Sequence, residues 1–172
     1  MHGLCVPLSA ALVLCSQSAA AAPSDLQNAV YPGAVALSNI AADTWIYKSF
    51  PQLLPLYTFK GEPAGHSLCD RPCTSVWPIV AAGKNDRPMG LWTIVKRDDG
   101  RLQWAYKNSP VYTYFEDRPN EPKGAGKNMD WYLDERGLAY LASVGVQLPP
   151  SAVDTQAAKA KRIQATAQLL QP

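Results

Sequence analysis

His66, Cys69 and Cys73 lie in one short segment and are the side chains best suited to chemistry in this sequence. Two thiolates and an imidazole suit Cu(I), so one hypothesis is a copper site or a thiol-redox centre. The alternative is a disulfide that closes a tight loop through residues 70–72. Because oxidation outside the cytoplasm would consume both thiol ligands, we expect Cys69 and Cys73 to be paired and the protein to need no cofactor.

The rest of the sequence offers little for catalysis. His66 is the one histidine beyond residue 2, and no Gly-x-Ser-x-Gly or paired metal signature accompanies it. Asp98 and Asp99 precede Gly100, where turn chemistry explains them without catalysis. The residues therefore favour a non-enzymatic protein over an enzyme.

The N-terminal residues predict export. The first 22 residues contain no Lys, Arg, Asp or Glu, and an apolar run over 4–14 is followed by small residues. This pattern is typical of a secretory signal peptide, placed at residues 1–21, and the run is too short to span a bilayer. Cys15 follows bulky Leu14, whereas a lipid-modified cysteine needs a small residue before it. We expect an exported protein, periplasmic or extracellular, with no transmembrane segment and without a lipid anchor.

Charge limits the class of partner. The formal net charge is +2. All of it comes from the C-terminal tail, which has three basic residues, Lys159, Lys161 and Arg162, and one acidic residue, Asp154, so the aromatic body is close to neutral. A neutral body lacks the electrostatic footprint of a nucleic-acid-binding protein. We therefore expect no nucleic-acid partner and place most aromatic side chains in the core.

Two stretches of the sequence are alike. Trp45-Ile46-Tyr47-Lys48 and Pro55-Leu56-Tyr57-Thr58-Phe59 recur as Trp104-Ala105-Tyr106-Lys107 and Pro110-Val111-Tyr112-Thr113-Tyr114, with a period of about 55 residues. Trp77 and Trp131 follow the two tyrosine segments at similar distances. The similarity predicts one structural unit used twice, over about 43–80 and 91–133, in a single domain over 31–146.

Aromatic and β-branched runs predict that each unit is an antiparallel sheet. In the second unit, runs over 91–95, 102–106 and 111–115 are separated by turn residues, which is typical of a three-stranded meander. The first unit repeats the last two strands, over about 43–48 and 54–59. Because neither small sheet can bury its apolar face alone, we expect the two to pack together in a mainly β fold.

Short helices are predicted at the C-terminal end. Leu138, Leu141 and Ala142 have helical spacing and predict a helix over 134–143, before Gly145. An apolar stripe predicts a second helix in the tail, residues 151–172, which either packs on the body or binds a protein partner. The stripe consists of Val153, Ala157, Ala160, Ile163, Ala167 and Leu170.

The second unit resembles a known family. Tyr112-Thr113-Tyr114-Phe115-Glu116-Asp117 resembles the Tyr-x-(Phe/Trp/Tyr)-x-x-Asp motif of bacterial secreted-repeat proteins, often predicted lipoproteins, whose role is unknown. Segments 67–78 and 97–106 are similar to the Cys/Trp-Pro and Asp-Gly/Gln-Trp-Ala-Tyr segments of that family. The first unit departs from the motif, with Glu62 where the family has Asp. The resemblance implies the fold and export, and it implies no activity.

The motif side chains are interpreted as structural. Asp117 falls just past a predicted strand, where a carboxylate can accept backbone N–H bonds and organise the turn. The motif residues are Tyr57, Phe59, Glu62, Tyr112, Tyr114 and Asp117, and the structural aromatic residues are Trp45, Trp77, Trp104 and Trp131.

These features predict an exported, non-enzymatic binding or envelope-associated protein. Its ligand would be a small molecule or an envelope component, bound by an aromatic surface or by the cleft between the units. The alternative function is a periplasmic copper-binding or thiol-redox protein that uses His66, Cys69 and Cys73.

Overall fold

The computed structural model describes Leu26 and residues 29–41, 44–129 and 134–145. These residues are mainly β, with one short helix, α1 (Cys73–Val76), and one 3-10 turn, Glu135–Gly137. The predicted signal peptide, Trp131 and the predicted helix in the C-terminal tail lie outside the described residues.

Within this part of the chain, seven strands form small antiparallel sheets. The strands are β1 (Val35–Ala41), β2 (Thr44–Ser49), β3 (Tyr57–Phe59), β4 (Trp92–Lys96), β5 (Leu102–Tyr106), β6 (Ser109–Pro110) and β7 (Ala139–Leu141). β1 pairs with β2, β3 pairs with β7, and β4, β5 and β6 form a three-stranded sheet. In the pairing of β3 with β7, Tyr57 lies opposite Leu141, so a strand near residue 140 forms a sheet with a strand near residue 58.

The two motif tyrosines join the sheets. The Tyr57 N–H donates to the Tyr112 carbonyl at 2.9 Å, and the Tyr112 N–H donates to the Tyr57 carbonyl at 3.0 Å. Tyr112 also forms an antiparallel bridge with Ile79. Because an isolated two-stranded sheet is marginally stable in water, these bonds help the small sheets to stabilise one another.

Most of the aromatic side chains form the core. Trp77, Trp92 and Trp104 are each at most 1 % exposed. One cluster packs Trp77 with Tyr57, Phe59, Tyr112 and Tyr114, and the other packs Trp92 and Trp104 with Tyr47, Leu56, Tyr106 and Val111. The tryptophans of these clusters cannot form the expected aromatic binding surface, because their rings are covered.

The third predicted strand of the meander is corrected. β6 is Ser109–Pro110, and the pairing with β5 ends at the bond from the Val111 N–H to the Trp104 carbonyl. Residues near Val80 lie between the two segments instead: the Val80 N–H donates to the Val111 carbonyl, and the Trp104 N–H donates to the Val80 carbonyl. A distant segment has therefore taken the pairing positions that a simple meander would fill.

Two other elements differ from the sequence prediction. The helix predicted over 134–143 is wrong, because the 3-10 turn ends at Gly137 and Ala139–Leu141 is β7. No strand is predicted over residues 35–41, where β1 pairs with β2 along most of its length. In both cases pairing with another strand, the adjacent β2 for β1 and the distant β3 for β7, outweighs the local propensity.

The alignment of Trp45 with Trp104 is also corrected. Tyr47 and Trp104 have the same pattern of backbone hydrogen bonds. The Tyr47 N–H donates to the Ala142 carbonyl, and the Tyr47 carbonyl accepts from the Leu56 N–H. In the same way, the Trp104 N–H donates to the Val80 carbonyl, and the Trp104 carbonyl accepts from the Val111 N–H. Tyr47, and not half-buried Trp45, therefore shares the backbone hydrogen-bond pattern of Trp104.

Candidate functional site

Two buried tyrosine–carboxylate pairs lie where the sheets meet. The Tyr57 hydroxyl donates to Asp117 Oδ2 at 2.7 Å, and the Tyr112 hydroxyl donates to Glu62 Oε1 at 2.6 Å. The tyrosines are fully buried, and the carboxylates are nearly so. The pairs are crossed, because the tyrosine of each motif bonds to the acid of the other motif.

A backbone N–H group also donates to each carboxylate. The Leu68 N–H donates to Glu62 Oε1 at 2.8 Å, and the Gly124 N–H donates to Asp117 Oδ1 at 3.1 Å. Each carboxylate therefore also anchors the loop that follows its motif, which is the kind of contact expected for Asp117.

Burial shifts the protonation of these groups. It raises the pKa of Glu62 and of Asp117 to about 6, because the charged carboxylate loses hydration, while hydrogen bonds from tyrosine and backbone oppose the shift. Burial and the neighbouring carboxylate raise the pKa of Tyr57 and of Tyr112. Both hydroxyls therefore stay protonated and act as donors.

Arg97 extends the Tyr112 pair into a buried polar network. Its side chain is 1 % exposed. The guanidinium donates to Ser67 Oγ at 2.7 Å, to Gln103 Oε1 at 2.6 Å, to the Cys69 carbonyl and to Asp70 Oδ1 at 3.2 Å. Ser67 Oγ lies 2.6 Å from the Tyr112 hydroxyl. The network fastens the loop that contains Cys69 to β5.

Cys69 and Cys73 form a disulfide bond. Both residues are fully buried in the cluster that contains Trp77, whereas His66 is exposed. Among the described residues, no group of three or more His, Cys, Asp or Glu side chains is placed to hold a metal ion. In this state the two sulfur atoms form part of the core and offer no thiolate.

Lys48 is another buried polar side chain. It is 2 % exposed, and its Nζ donates to Asn120 Oδ1. Burial lowers the pKa of Lys48, since the ammonium loses hydration. Asn120 has a φ of 65° and lies in the loop after Asp117, so the contact fastens this loop to β2.

Two of the depressions on the described part of the surface contain exposed apolar side chains. One groove, of about 550 Å³, has the exposed side chains of Phe50 and Phe115 at its margin, and we call it the Phe50/Phe115 groove. Its lining is Ala34, Ser49, Phe50, Gln52, Leu54, Pro78, Ile79, Val80, Ala81, Thr113, Tyr114 and Phe115. A second depression, of about 350 Å³, includes the exposed side chains of Val30 and Leu91.

The structure brings the motif residues together, with Phe59 and Tyr114 packed beside the two tyrosines of the pairs, and leaves His66 at the surface. The crossed pairs were not predicted from the sequence, which assigned Asp117 to the turn after its own strand and gave Glu62 no partner. They consist of Tyr57, Glu62, Tyr112 and Asp117. Sequence reasoning also missed Lys48, Ser67, Arg97 and Gln103. Nothing in their local sequence distinguishes them from surface residues, because their partners lie far along the chain.

No helix in the part of the chain that the structure describes is long and apolar enough to cross a membrane. Neither a curated protein nor a solved structure matches the chain. Residues 93–133, which include β5, β6 and the segment from Tyr112 to Asp117, match a lipoprotein-type family described as a secreted repeat of unknown function, the family that the sequence resembles.

Proposed function

We propose that the chain is an exported, non-enzymatic binding protein of the periplasm or extracellular space, associated with the cell envelope and built from two related units. The matching family is described as secreted, which fits export. The proposed units are residues 43–80 and 91–133, and the proposed ligand is an envelope component. A lipid anchor is not part of the proposal, because Leu14 precedes Cys15.

The crossed pairs support the two-unit proposal. Tyr57 and Tyr112 bond to each other through the backbone and to the acid of the opposite motif through their side chains. Tyr47 and Trp104 also have matching backbone partners. Two copies of one unit related by an approximate two-fold rotation would produce these reciprocal bonds.

One observation carries the non-enzymatic proposal: the groups best suited to acid–base chemistry hold the protein together. Glu62 and Asp117 each accept bonds from a tyrosine and a backbone N–H inside the core. A general acid or base must reach the proton that it transfers, and these carboxylates face other parts of the protein. We therefore assign them to stability and place function at the surface.

The Phe50/Phe115 groove is the proposed binding surface. Phe50 and Phe115 are each 57 % exposed, while the tryptophans of the core are covered. Exposed aromatic residues beside a concave surface are typical of interaction sites. We therefore assign ligand binding, predicted from the sequence for an aromatic surface, to this groove.

The copper or thiol-redox alternative receives less support. It requires accessible thiols near His66, whereas Cys69 and Cys73 are bonded and buried. Thiol titration of the folded protein, with and without reductant and Cu(I), tests it. Two free thiols in the isolated protein and stoichiometric Cu(I) binding would favour copper over our proposal.

Co-sedimentation with cell-envelope fractions of the source organism tests the binding role. The test variant is Phe50→Ser/Phe115→Ser, and the matched control is Val30→Ser/Leu91→Ser, which changes equally exposed residues in the other depression. We expect the groove variant to bind about tenfold more weakly and the control to bind like the wild type. Equal binding by both variants, or no binding by the wild type, would contradict the proposal.

A further inference from the structure

Residues 79–81 form a short extended segment that is bonded along one edge. The Val80 N–H donates to the Val111 carbonyl at 3.2 Å, and the Val80 carbonyl accepts from the Trp104 N–H at 2.9 Å. Ile79 and Ala81 form antiparallel bridges with Tyr112 and Gln103. In an antiparallel ladder with this pattern, the N–H and C=O groups of residues 79 and 81 point away from the bonded edge.

The opposite edge is unpaired. Within the described residues, the backbone N–H and C=O groups of Ile79 and Ala81 make no hydrogen bond. Two donors and two acceptors therefore point in one direction with the spacing of a β-strand. Such an edge is a template for another strand.

This unpaired edge borders the Phe50/Phe115 groove. Four consecutive residues, 78–81, line the groove. Because side chains of an extended segment alternate between faces, a groove can be lined by four consecutive residues only if it reaches their backbone. No residue in the lining carries a charge, and Phe50 and Phe115 supply exposed rings at the margin.

We propose that the Phe50/Phe115 groove binds an extended peptide segment of another protein, which pairs with residues 79–81 as an added β-strand. The proposal rests on the binding function proposed above and names the class of partner. Main-chain hydrogen bonds to Ile79 and Ala81 would supply affinity. Because the lining is uncharged, the bound segment carries uncharged, largely apolar side chains that contact Phe50 and Phe115.

The corresponding segment in the other half of the protein does not offer the same edge. Ala142 has the place of Val80: its N–H donates to the Leu56 carbonyl, and its carbonyl accepts from the Tyr47 N–H. The next residue, Ser143, has its carbonyl bonded to the Tyr106 hydroxyl at 3.0 Å. The counterpart of the Ala81 carbonyl is thus already occupied by a side chain of the protein itself.

Amide hydrogen exchange with a peptide array tests the proposal. The probes are uncharged octapeptides of alternating Val, Thr, Phe and Ser, each also made with N-methyl groups along one edge. In the free full-length protein, we expect rapid exchange at the Ile79 and Ala81 amides. A binding peptide should slow exchange at both amides, and its N-methylated form should bind at least about tenfold more weakly.

A pair of variants isolates the backbone contact. Ala81→Pro removes an N–H that makes no bond in the protein, whereas Ala81→Ser keeps it. We expect Ala81→Pro to weaken peptide binding by about five- to tenfold and Ala81→Ser to leave it unchanged. Thermal unfolding of both variants checks that each one folds.

Each outcome separates the peptide proposal from the binding function. The protein could bind envelope fractions through Phe50 and Phe115 and yet bind no peptide, or bind N-methylated peptides equally well. Either result overturns the peptide proposal and leaves the binding function standing. Slow exchange at Ile79 and Ala81 in the free monomer would mean that another segment of this chain occupies the edge, and protection that grows with a dimer would mean a second copy. Either result overturns the proposal. Loss of all groove-dependent binding overturns both.

Discussion

The side chains of Tyr57 and Asp117 are sixty residues apart in the chain and are joined by a 2.7 Å hydrogen bond in the core. Tyr112 and Glu62 form the reciprocal bond at 2.6 Å. Each bond satisfies one oxygen of a buried carboxylate, and leaving that oxygen without its donor is expensive. The crossed pairs should therefore contribute measurably to stability.

Tyr57→Phe should lower the free energy of unfolding by about 1–3 kcal/mol, because it leaves Asp117 Oδ2 buried without its donor. Urea denaturation measures the change, and a double-mutant cycle with Asp117→Asn isolates the pair. Tyr31→Phe is the matched control, since Tyr31 is partly exposed, and should change stability by less than about 0.5 kcal/mol. Additive effects of Tyr57→Phe and Asp117→Asn would show that the bond contributes nothing.

Stability should rise as the pH falls from about 7 to about 4. Glu62 and Asp117 have pKa values raised to about 6 in the folded protein, whereas unfolded carboxyl groups titrate near 4. The folded state therefore binds more protons in this window, and each group adds about 2 kcal/mol of stability that is lost as the pH rises through 6. Chemical denaturation at several pH values measures the slope.

A Glu62→Gln/Asp117→Asn variant provides the control for this pH dependence. Both replacements keep the size of the side chain and remove its titration, so the slope between pH 4 and 7 should flatten. The pKa of Asp99, lowered to about 2 by hydrogen bonds from Arg101, affects a more acidic range. A wild-type protein that gains stability with rising pH across this window would refute the assignment.

Gly124→Ala should destabilise the protein by about 1–3 kcal/mol, because an added Cβ would lie 2.7 Å from Tyr114 Cβ and 3.0 Å from Tyr57 Cζ. Gly33→Ala is the matched control, since nothing lies within 4 Å of a Cβ at that position. The control should change stability by less than about 0.5 kcal/mol. Thermal unfolding compares the two variants, and equal melting temperatures would contradict the close packing around Gly124.

Arg97→Met should cost about 3–5 kcal/mol of stability, because the buried guanidinium bonds to Ser67, Gln103 and the Cys69 carbonyl. Arg101→Met is the control: Arg101 is half exposed and pairs with Asp99 at 2.6 Å, so its loss should cost less than about 1 kcal/mol. Urea denaturation measures both. Similar small losses would show that the network around Arg97 is not a major source of stability.

Local sequence was sufficient for the parts of the fold that depend on near neighbours. β4 and β5 are rich in aromatic, β-branched and other apolar residues and flank a turn that ends in Gly100, so composition and turn chemistry predict both strands. The disulfide follows from two close cysteines in a chain with a predicted signal peptide.

Strand pairing explains the errors. β1 contains Ala36, Ser38 and Asn39, which favour strands weakly, and it is a strand because the next strand, β2, pairs with it. Leu138, Leu141 and Ala142 have helical spacing, yet β3 recruits residues 139–141 as a partner. The unpaired edge at residues 79–81 could not be predicted from the sequence, because no residue type indicates which backbone N–H and C=O groups have no partner.

The hydroxyl of each tyrosine bonds to the carboxylate of the opposite half, so neither half alone contains all the partners of its buried polar groups. Under the proposed two-unit origin, a single-copy ancestor would have formed a dimer in which the tyrosine hydroxyl of each subunit bonded to the carboxylate of the other. Fusion of two such genes would place both copies in one chain, so that the bonds between subunits became bonds within the protein. Each half could then diverge in sequence. The disulfide and Lys48 in the first half, and Arg97 in the second, are differences of the kind that such divergence permits.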